Sequence, residues 1–294
     1  VPLMLEREQF ADKVCEALKL EIRKPHLDDW VELVERFQKP EQQVTIALVG
    51  KYIQLHDAYL SVVEALAHGG IAHRTRVKIK WVLADTLTGP EVDLHEALGD
   101  ADAIVVPGGF GIRGIEGKMA AARYARENKI PYLGLCLGMQ IAVSELARSV
   151  AGMTGANSSE FDKETEYPVI DLMPDQHGLE QTGGTMRLGR YDCRLAEGTK
   201  AREIYGKEMI VERHRHRYEF NNKFLPRLEE AGLVVAGVNP ERNLVEVVEL
   251  RDHPFFIGVQ FHPELKSRPN RPHPLFAGLV QAALVHAAQK KEAI

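Results

Sequence analysis

The sequence predicts an α/β protein, in which helices cover both faces of a central, mostly parallel mixed sheet to form a three-layer α/β/α sandwich. From residue 44 onwards, short continuous apolar runs alternate with stretches of helical periodicity. Such runs are typical of strands buried on both faces, and helices between successive strands favour parallel crossovers. Two of the runs also lead into glycines, as expected where a strand turns sharply.

The first 40 residues differ from the rest of the chain. "EREQFADKVCEALKL" and "HLDDWVELVERFQK" each place apolar residues at helical spacing. Asp28 is a suitable N-cap for the second helix, and Pro40 ends it. Two short helices bury too little apolar surface to fold as a domain. We therefore expect residues 1–40 to be a helical leader and residues 41–294 to form the folded domain.

The alternation continues element by element. "VTIALVG" predicts the first strand, "AYLSVVEALAHGGIA" a helix closed by Gly69–Gly70, and "RVKIKWVLA" the second strand. "ADAIVVPGG", "GKMAAARYARENK", "IPYLGL" and "GMQIAVSELARSV" predict strand, helix, strand and helix. The pattern weakens to loops and short strands between about 151 and 210. "GLVVAGVN", "LVEVVEL" and "FFIGVQF" then predict close, partly antiparallel strands, and "HPLFAGLVQAALVHAAQKK" predicts a last helix.

Composition excludes several classes of protein. The net charge of −5 argues against a nucleic-acid binder, which would be basic. No apolar run approaches the roughly 20 residues of a membrane span, and "VPLMLEREQF" is not a signal peptide. Cys15, Cys136 and Cys193 are odd in number and widely spaced, so neither a disulfide framework nor a zinc cluster is indicated. A reducing, cytoplasmic environment fits this composition best.

The stretch "PYLGLCLGMQ" places Cys136 between Gly134 and Gly138, at the junction of a predicted strand and helix. This is the form of a nucleophile elbow, in which small neighbours relieve a crowded turn. The turn presents the sulfur at the carboxyl edge of the sheet, and the helix N-terminus favours the thiolate. The alternative is a buried core cysteine, which is common but has no need of the bend.

A thiolate nucleophile needs a base and a group that orients it, and "GVQFHPE" supplies both. Pro263 biases His262 towards an extended conformation. Residues two apart in an extended segment project to the same side, so Glu264 can hold one imidazole nitrogen while the other faces the sulfur. Taken alone, the tripeptide would more simply be a solvated turn. Together with the elbow it indicates a catalytic set.

A third motif, "GFGIRG" at residues 109–114, matches G-x-G-x-x-G after a strand and raises a dinucleotide-binding interpretation. That interpretation requires an acidic residue at the end of the next strand, where this chain has Cys136. The loop suits an oxyanion hole better. Gly109 can aim its backbone N–H at a developing oxyanion, together with the N–H of Leu137.

These motifs, "PGGFG", "GLCLGMQ" and "FHPE" in this order, resemble the class I, or triad-type, glutamine amidotransferases. The stretches "VGKYIQLHDAYLSVVEAL", "GANSSEFD", "GGTMRLG" and "ERHRHRYEFNN" resemble the glutaminase half of the CTP synthase family in particular. Residues 1–40 resemble the end of its synthetase domain and the following linker. The resemblance implies the class I glutamine amidotransferase fold for the predicted sandwich.

The resemblance also implies a reaction. Cys136 would attack the side-chain amide of L-glutamine to form a γ-glutamyl thioester, with Gly109 and Leu137 forming the oxyanion hole. His262 would protonate the departing ammonia and then activate water, while Glu264 holds the imidazole. The ammonia would pass to a synthetase domain that aminates ATP-activated UTP to CTP, a ligase step of pyrimidine nucleotide biosynthesis.

The family's pattern further implies a set of glutamine-binding residues. A zwitterionic amino acid calls for a carboxylate beside its ammonium group and a guanidinium beside its carboxylate, roles that suit Glu160 and Arg217. The implied set is Gly109, Leu137, Gly138, Met139, Gln140, Glu160 and Arg217.

The stretch "RHRHR" admits a metal site at His214 and His216 or an anion-binding edge. No cysteine or carboxylate cluster accompanies it in the sequence, and metal ligands usually come in sets of three or four, so we predict no metal there. As an extended segment it would place Arg213, Arg215 and Arg217 on one face. This face could bind anions.

The resemblance implies that GTP activates the family's glutaminase and that Arg187, in "GGTMRLG", takes part in that response. It implies ATP, Mg and UTP in the synthetase domain, with no cofactor in this chain. It also implies that the full-length enzyme is a homo-oligomer, a tetramer.

One departure from the family is an absence. We find no phosphate-binding loop of the form G-x-x-x-x-G-K-[ST], and "LVGKY" lacks the upstream glycine. We therefore expect this chain to be the C-terminal part of a longer protein and unable to make CTP alone. Two alternatives are a different elbow-cysteine γ-glutamyl hydrolase and a catalytically silent regulatory module. The complete set of Cys136, His262 and Glu264 argues against the silent module.

Overall fold

The computed structural model describes residues 1–172 and 186–292 and confirms the predicted α/β sandwich. The strands are β1 (Gln42–Gly50), β2 (Thr75–Leu83), β3 (Ala103–Val106), β4 (Tyr132–Leu135), β5 (Asn157–Ser158), β6 (Pro168–Leu172), β7 (Arg187–Leu195), β8 (Met209–His216), β9 (Tyr218–Phe220), β10 (Leu233–Asn239), β11 (Leu244–Leu250) and β12 (Phe256–Val259). The helices are α1 (Pro2–Arg7), α2 (Phe10–Ala17), α3 (Asp28–Gln38), α4 (Leu60–Ala72), α5 (Leu94–Leu98), α6 (Ile115–Glu127), α7 (Leu137–Ser149), α8 (Lys200–Tyr205), α9 (Leu225–Glu230) and α10 (Pro274–Glu292).

Within these described residues, nine strands form one mixed sheet in the order β2-β1-β3-β4-β12-β11-β10-β7-β8. The first five of these pair in parallel, and the pairs from β12 to β8 are antiparallel. Strand β12 therefore joins the two halves. Because β12 and β4 are parallel neighbours, with Val259 opposite Leu135, the residues that follow each strand meet at the same edge.

Strand β1 shows how the sequence builds the core. Its alternate residues Ile46 and Leu48 pack with α4 and α10 on one face, whereas Ala47 and Val49 pack with α6 and α7 on the other. All four are completely buried. Burial of each large aliphatic side chain contributes about 1.5–3 kcal/mol, so both faces of the strand hold the layers together.

The prediction that Gly69–Gly70 closes a helix is wrong, because α4 continues to Ala72. The two glycines serve close packing instead. A Cβ atom on Gly69 would lie 2.7 Å from the carbonyl oxygen of Phe276 in α10, and one on Gly70 would lie 2.5 Å from that of Thr75. Such approaches exclude any side chain at either position.

The predicted leader forms three helices rather than two. The first stretch breaks at Gln9, whose φ of 52° lies in the left-handed region, and so yields α1 and α2. Asp28 is the first helical residue of α3 and not its cap, which is Leu27. Helices α1 to α3 contain no buried residue. The division into residues 1–40 and 41–294 stays a prediction.

A small sheet of β5, β6 and β9 packs beside α7 and provides the weakly patterned region with its own apolar cluster, which includes Val169, Ile170 and Phe220. The loop after β5 carries Glu160 to the loop that follows β3, where its carboxylate accepts from the N–H of Gly111. In the part of the chain that is described, no helix is both long and apolar enough to cross a bilayer.

Candidate active site

The bend at Cys136 is as tight as the flanking glycines suggest. Cys136 links β4 to α7 with φ 50° and ψ −100°, a backbone conformation that is strained for a residue with a side chain. A Cβ on Gly134 would lie 2.6 Å from the backbone of Gly138, and one on Gly138 would lie 2.1 Å from the Val106 carbonyl oxygen. The backbone N–H of Cys136 donates to Val259 of β12 over 2.7 Å, which fixes the bend against the neighbouring strand.

The histidine and the glutamate of "FHPE" are paired. Nδ1 of His262 lies 2.7 Å from Oε1 of Glu264, and since the carboxylate accepts, Nδ1–H is the donor. The backbone N–H of His262 donates to the Arg213 carbonyl oxygen over 2.7 Å, which anchors the residue to β8. The second ring nitrogen, Nε2, is buried and makes no hydrogen bond within normal geometric limits to any described residue.

Gly108 marks where the imidazole and the cysteine approach each other. A Cβ placed on Gly108 would lie 2.9 Å from Cε1 of His262 and 3.6 Å from Cβ of Cys136. Burial lowers the pKa of His262, but the interactions with Cys136 and Glu264 outweigh it and raise this pKa to about 10. The surroundings of His262 therefore favour the protonated imidazole.

The two residues predicted to supply the oxyanion donors, Gly109 and Leu137, are neighbours in the fold. A Cβ on Gly109 would contact Cδ2 of Leu137 at 3.5 Å, so the loop after β3 touches the first residue of α7. Gly138 and Met139 follow in the first turn of that helix. The side chain of Met139 is buried beneath Gly258, which leaves only its backbone to face a ligand.

The polar residues predicted to bind substrate approach the same edge. Both donors of the Gln140 amide are engaged, with the Tyr218 carbonyl oxygen at 3.0 Å and Oε1 of Gln260 at 3.2 Å, so its own oxygen is the group left to accept. Glu160 accepts from the N–H of Gly111 at 3.1 Å. Burial raises the pKa of Glu160, while Gly111, Lys51 and Arg217 oppose the rise. Glu160 and Arg217 are thus close enough to interact electrostatically.

A family model described as glutamine amidotransferase class-I matches residues 54–282 of this sequence. The chain belongs to that family. Over 284 residues it is 58% identical to a CTP synthase of Caldanaerobacter subterraneus and 57% identical to one of Clostridium beijerinckii. These matches cover 97% of this chain but 52% and 53% of the relatives, so the chain spans about half the length of the curated relatives it matches.

A solved structure gives the same result for the fold. The glutaminase domain of Trypanosoma brucei CTPS, with bound acivicin, superposes with a TM-score of 0.78 at 43% identity, covering 82% of this chain and 94% of that one. The resemblance to the glutaminase half of CTP synthases is therefore confirmed, and so is the class I amidotransferase fold.

Two residues near the amidotransferase elbow were missed by the sequence analysis. Nε2 of Gln260 lies 3.6 Å from Sγ of Cys136, within hydrogen-bonding distance for sulfur, and Gln260 is completely buried. Lys118 of α6 is 1% exposed and lies behind the loop that carries Gly109. Gln260 could have been found from its position two residues before His262, whereas nothing local in the sequence identifies Lys118.

The stretch "RHRHR" alternates as expected, since Arg213 and Arg215 of β8 are exposed while His214 and His216 are buried. In the fold, each of the two histidines is paired with one carboxylate. Nε2 of His214 lies 2.7 Å from Glu246, and Nε2 of His216 lies 2.7 Å from Glu219. Within the described ranges no group of three or more His, Cys, Asp or Glu side chains has an arrangement that could hold a metal.

Arg187 completes this buried network and does not lie on the surface. Its guanidinium is 3% exposed and donates to Glu219 over 2.9 Å and to Glu246 over 2.7 Å. Gly183 to Thr185 of the same motif lie outside the described residues. Its part in a response to GTP stays a prediction.

Proposed function

We propose that this chain hydrolyses L-glutamine to glutamate and ammonia, with Cys136 as nucleophile, His262 as acid and base, and Glu264 as the group that orients the imidazole. The observation that carries the proposal is the 2.7 Å bond from His262 to Glu264, with the free side of the imidazole turned towards the strained elbow. This arrangement supports the proposal, because catalytic triads are recognised by the geometry and roles of their nucleophile, base and orienting carboxylate.

In the first half of the reaction, the Cys136 thiolate attacks the amide carbon of glutamine and a carbon–sulfur bond forms. The carbonyl electrons move onto oxygen, where the N–H groups of Gly109 and Leu137 stabilise the oxyanion. As the tetrahedral species collapses, the carbon–nitrogen bond breaks and His262 gives its Nε2 proton to the leaving nitrogen. Ammonia departs and a γ-glutamyl thioester remains.

In the second half, neutral His262 takes a proton from water and the resulting hydroxide attacks the thioester. The carbon–sulfur bond breaks, glutamate leaves and the thiolate is restored. Glu264 stays ionised and keeps the imidazole oriented through Nδ1 in both halves. Glu160 and Arg217 receive the ammonium and carboxylate groups of the substrate, and the unoccupied oxygen of Gln140 accepts a further hydrogen bond.

We further propose that residues 41–294 are the glutaminase domain of a CTP synthase and that residues 1–40 are its link to a synthetase domain. The relatives at 57–58% identity support this assignment. The ammonia would aminate ATP-activated UTP in that domain with Mg, GTP would activate the hydrolysis, and the full-length enzyme would be a homo-oligomer.

The test is a glutaminase assay on the chain and on the variant Cys136→Ala. The variant should lose glutamate production and retain the thermal unfolding profile, since one small group is removed. Cys193→Ala is the matched control, because Cys193 is also a buried thiol but lies on β7, away from the elbow. A glutamine-like chloroketone should attach to Cys136, as judged by peptide mass spectrometry. Turnover that survives in Cys136→Ala would refute the nucleophile assignment.

A further inference from the structure

Lys118 is a cation buried near the elbow. It belongs to the first turn of α6, is 1% exposed, and its ammonium group makes no hydrogen bond or ion pair with any of the described residues. Burial of an unpaired charge is costly, and a cation is disfavoured near a helix N-terminus. A lysine that occupies this position despite both energetic costs is a candidate for a functional role.

The position of the ammonium group indicates which role. The Cβ position of Gly109 lies 3.8 Å from Nζ of Lys118 and 3.5 Å from Cδ2 of Leu137. The lysine therefore lies immediately behind the loop that supplies one of the two oxyanion donors. From there its charge also interacts with the elbow cysteine, Cys136.

Three charged groups face Lys118, and they differ in effect. Lys51 repels it, and Asp85 attracts it but is also within 3.3 Å of Nε of Arg113. The third group is Cys136, whose thiolate attracts the ammonium. Of these three groups, Cys136 is the one that takes part in the proposed reaction, and its thiolate is an anion that Lys118 can stabilise.

We propose that Lys118 is an electrostatic positioning residue, whose ammonium stabilises the Cys136 thiolate and the oxyanion formed beside Gly109. This role rests on the proposed glutaminase function. Burial and Lys51 lower the pKa of Lys118 to about 8, while Asp85 and Cys136 act in the opposite direction. The charges on Lys118 and Cys136 are therefore coupled, and removal of either should change the titration of the other.

The first experiment measures the alkylation of Cys136 by iodoacetamide as a function of pH, followed by peptide mass spectrometry. In Lys118→Met, which keeps length and removes charge, we expect the rate at pH 7 to fall about tenfold, because the ammonium no longer stabilises the reactive thiolate. The glutaminase kcat should fall by about tenfold or more with a smaller change in KM. Lys118→Arg should recover part of both losses.

Arg123→Met is the matched control, since Arg123 is an exposed cation of the same helix. It should leave the alkylation profile and kcat unchanged. If Lys118→Met and wild type have superimposable alkylation profiles, or if Arg123→Met shows the same change, the proposal is overturned.

A second experiment leaves Lys118 in place, in case its variants fail to fold. With ¹³C-labelled lysine, the ε-carbon of Lys118 is titrated by NMR in wild type and in Cys136→Ser. Loss of the thiolate should lower the pKa of Lys118, and an unchanged titration would overturn the proposal. Both alkylation and NMR report on the pair without glutamine, so a chain that hydrolyses none would refute the proposed function while leaving the coupling measurable.

Discussion

At the scale of single residues, the candidate site concentrates costs that the rest of the fold must offset. Cys136 adopts a strained backbone conformation, which typically costs about 1–3 kcal/mol. His262 is kept charged although it is largely buried, because Cys136 and Glu264 attract its proton. Costs of this kind are tolerated where they prepare a group for reaction. In the proposed mechanism, the strained elbow and the protonated imidazole are therefore in place before any substrate binds.

The proposed roles predict different losses for the two partners of Cys136. His262→Ala should reduce kcat by about a thousandfold, because the imidazole carries protons in both halves of the reaction. Glu264→Gln should reduce kcat by a smaller factor, because the imidazole that moves the protons remains and the amide oxygen can still accept from Nδ1–H. The measurement is steady-state glutamate release. Equal losses, or the reverse order, would contradict these roles.

Whether the sequence predicts a residue of the site depends on how far that residue lies along the chain from the groups that it contacts. Two short motifs contain Cys136, His262 and Glu264, and the spacing within each motif predicts where the side chains point. Gln260 contacts a sulfur 124 positions away, and that contact exists only because β12 pairs with β4. Lys118 is identified only by burial. Local patterns therefore locate the groups proposed to react, whereas Gln260 and Lys118 are brought to them by tertiary packing.

At the scale of elements, the elbow depends on how closely α7 approaches β3. Gly138 of the first helical turn lies so near Val106 that any side chain would collide with backbone, which cannot move aside as a flexible side chain would. The position of the nucleophile and the stability of the sheet are therefore coupled through one glycine.

Gly138→Ala should destabilise the chain by about 3 kcal/mol, the upper range for forced overpacking, and should also reduce glutamine hydrolysis. Gly152→Ala is the control, because Gly152 has φ 65° but open space around it, so its cost is limited to left-handed strain of about 1 kcal/mol. Urea unfolding measures both. Equal destabilisation by the two substitutions would show that the contact with Val106 is unimportant.

His253 connects another pair of elements and should make their stability depend on pH. In the neutral form, Nε2–H donates to the Ala125 carbonyl oxygen of α6 over 3.1 Å, and Nδ1 accepts from the N–H of Phe255 over 3.2 Å. Protonation would destroy the acceptor. Burial lowers the pKa of His253 from the ordinary 6.5 to about 4, against the hydrogen bond to Ala125. The unfolded chain therefore binds this proton more readily than the folded one.

The contribution of His253 should be complete above pH 6.5 and decrease as the pH falls towards 4, by about 2 kcal/mol at pH 5. His253→Gln removes the titration, so its free energy of unfolding should decrease less than that of wild type between pH 7.5 and pH 5. Urea unfolding at both pH values tests this. Parallel curves for the two proteins would mean that His253 is protonated equally in both states.

At the scale of the whole molecule, the sheet has a half that the sequence predicts well and a half that it does not. Alternating apolar runs and helices indicate the parallel strands β1 to β4, since each crossover is local in sequence. The order of β10, β7 and β8 could not be predicted, because their pairing joins segments separated by weakly patterned loops. The pairing of β12 with β4 brings the ends of these two strands, and with them Cys136 and His262, to the same edge of the sheet.

The last prediction concerns residues 1–40. Their helices bury no residue and leave large apolar side chains on the surface, including Phe10, Leu18 and Phe37, each more than half exposed. A segment with so little burial contributes little to the core, and its apolar face is expected to be covered by the proposed synthetase domain.

Residues 41–294 alone should therefore unfold within a few degrees of the full chain and keep the same glutaminase kcat. The glutaminase activity should be low in the full chain and in the truncated chain, because neither is bound to the partner proposed to favour the active conformation. Addition of the synthetase domain with GTP, ATP and UTP should raise the activity only when residues 1–40 are present. Thermal unfolding and glutamate release measure the two effects. A large drop in unfolding temperature on truncation would place these helices within the folded domain, and full activity that no addition changes would identify a free-standing amidase.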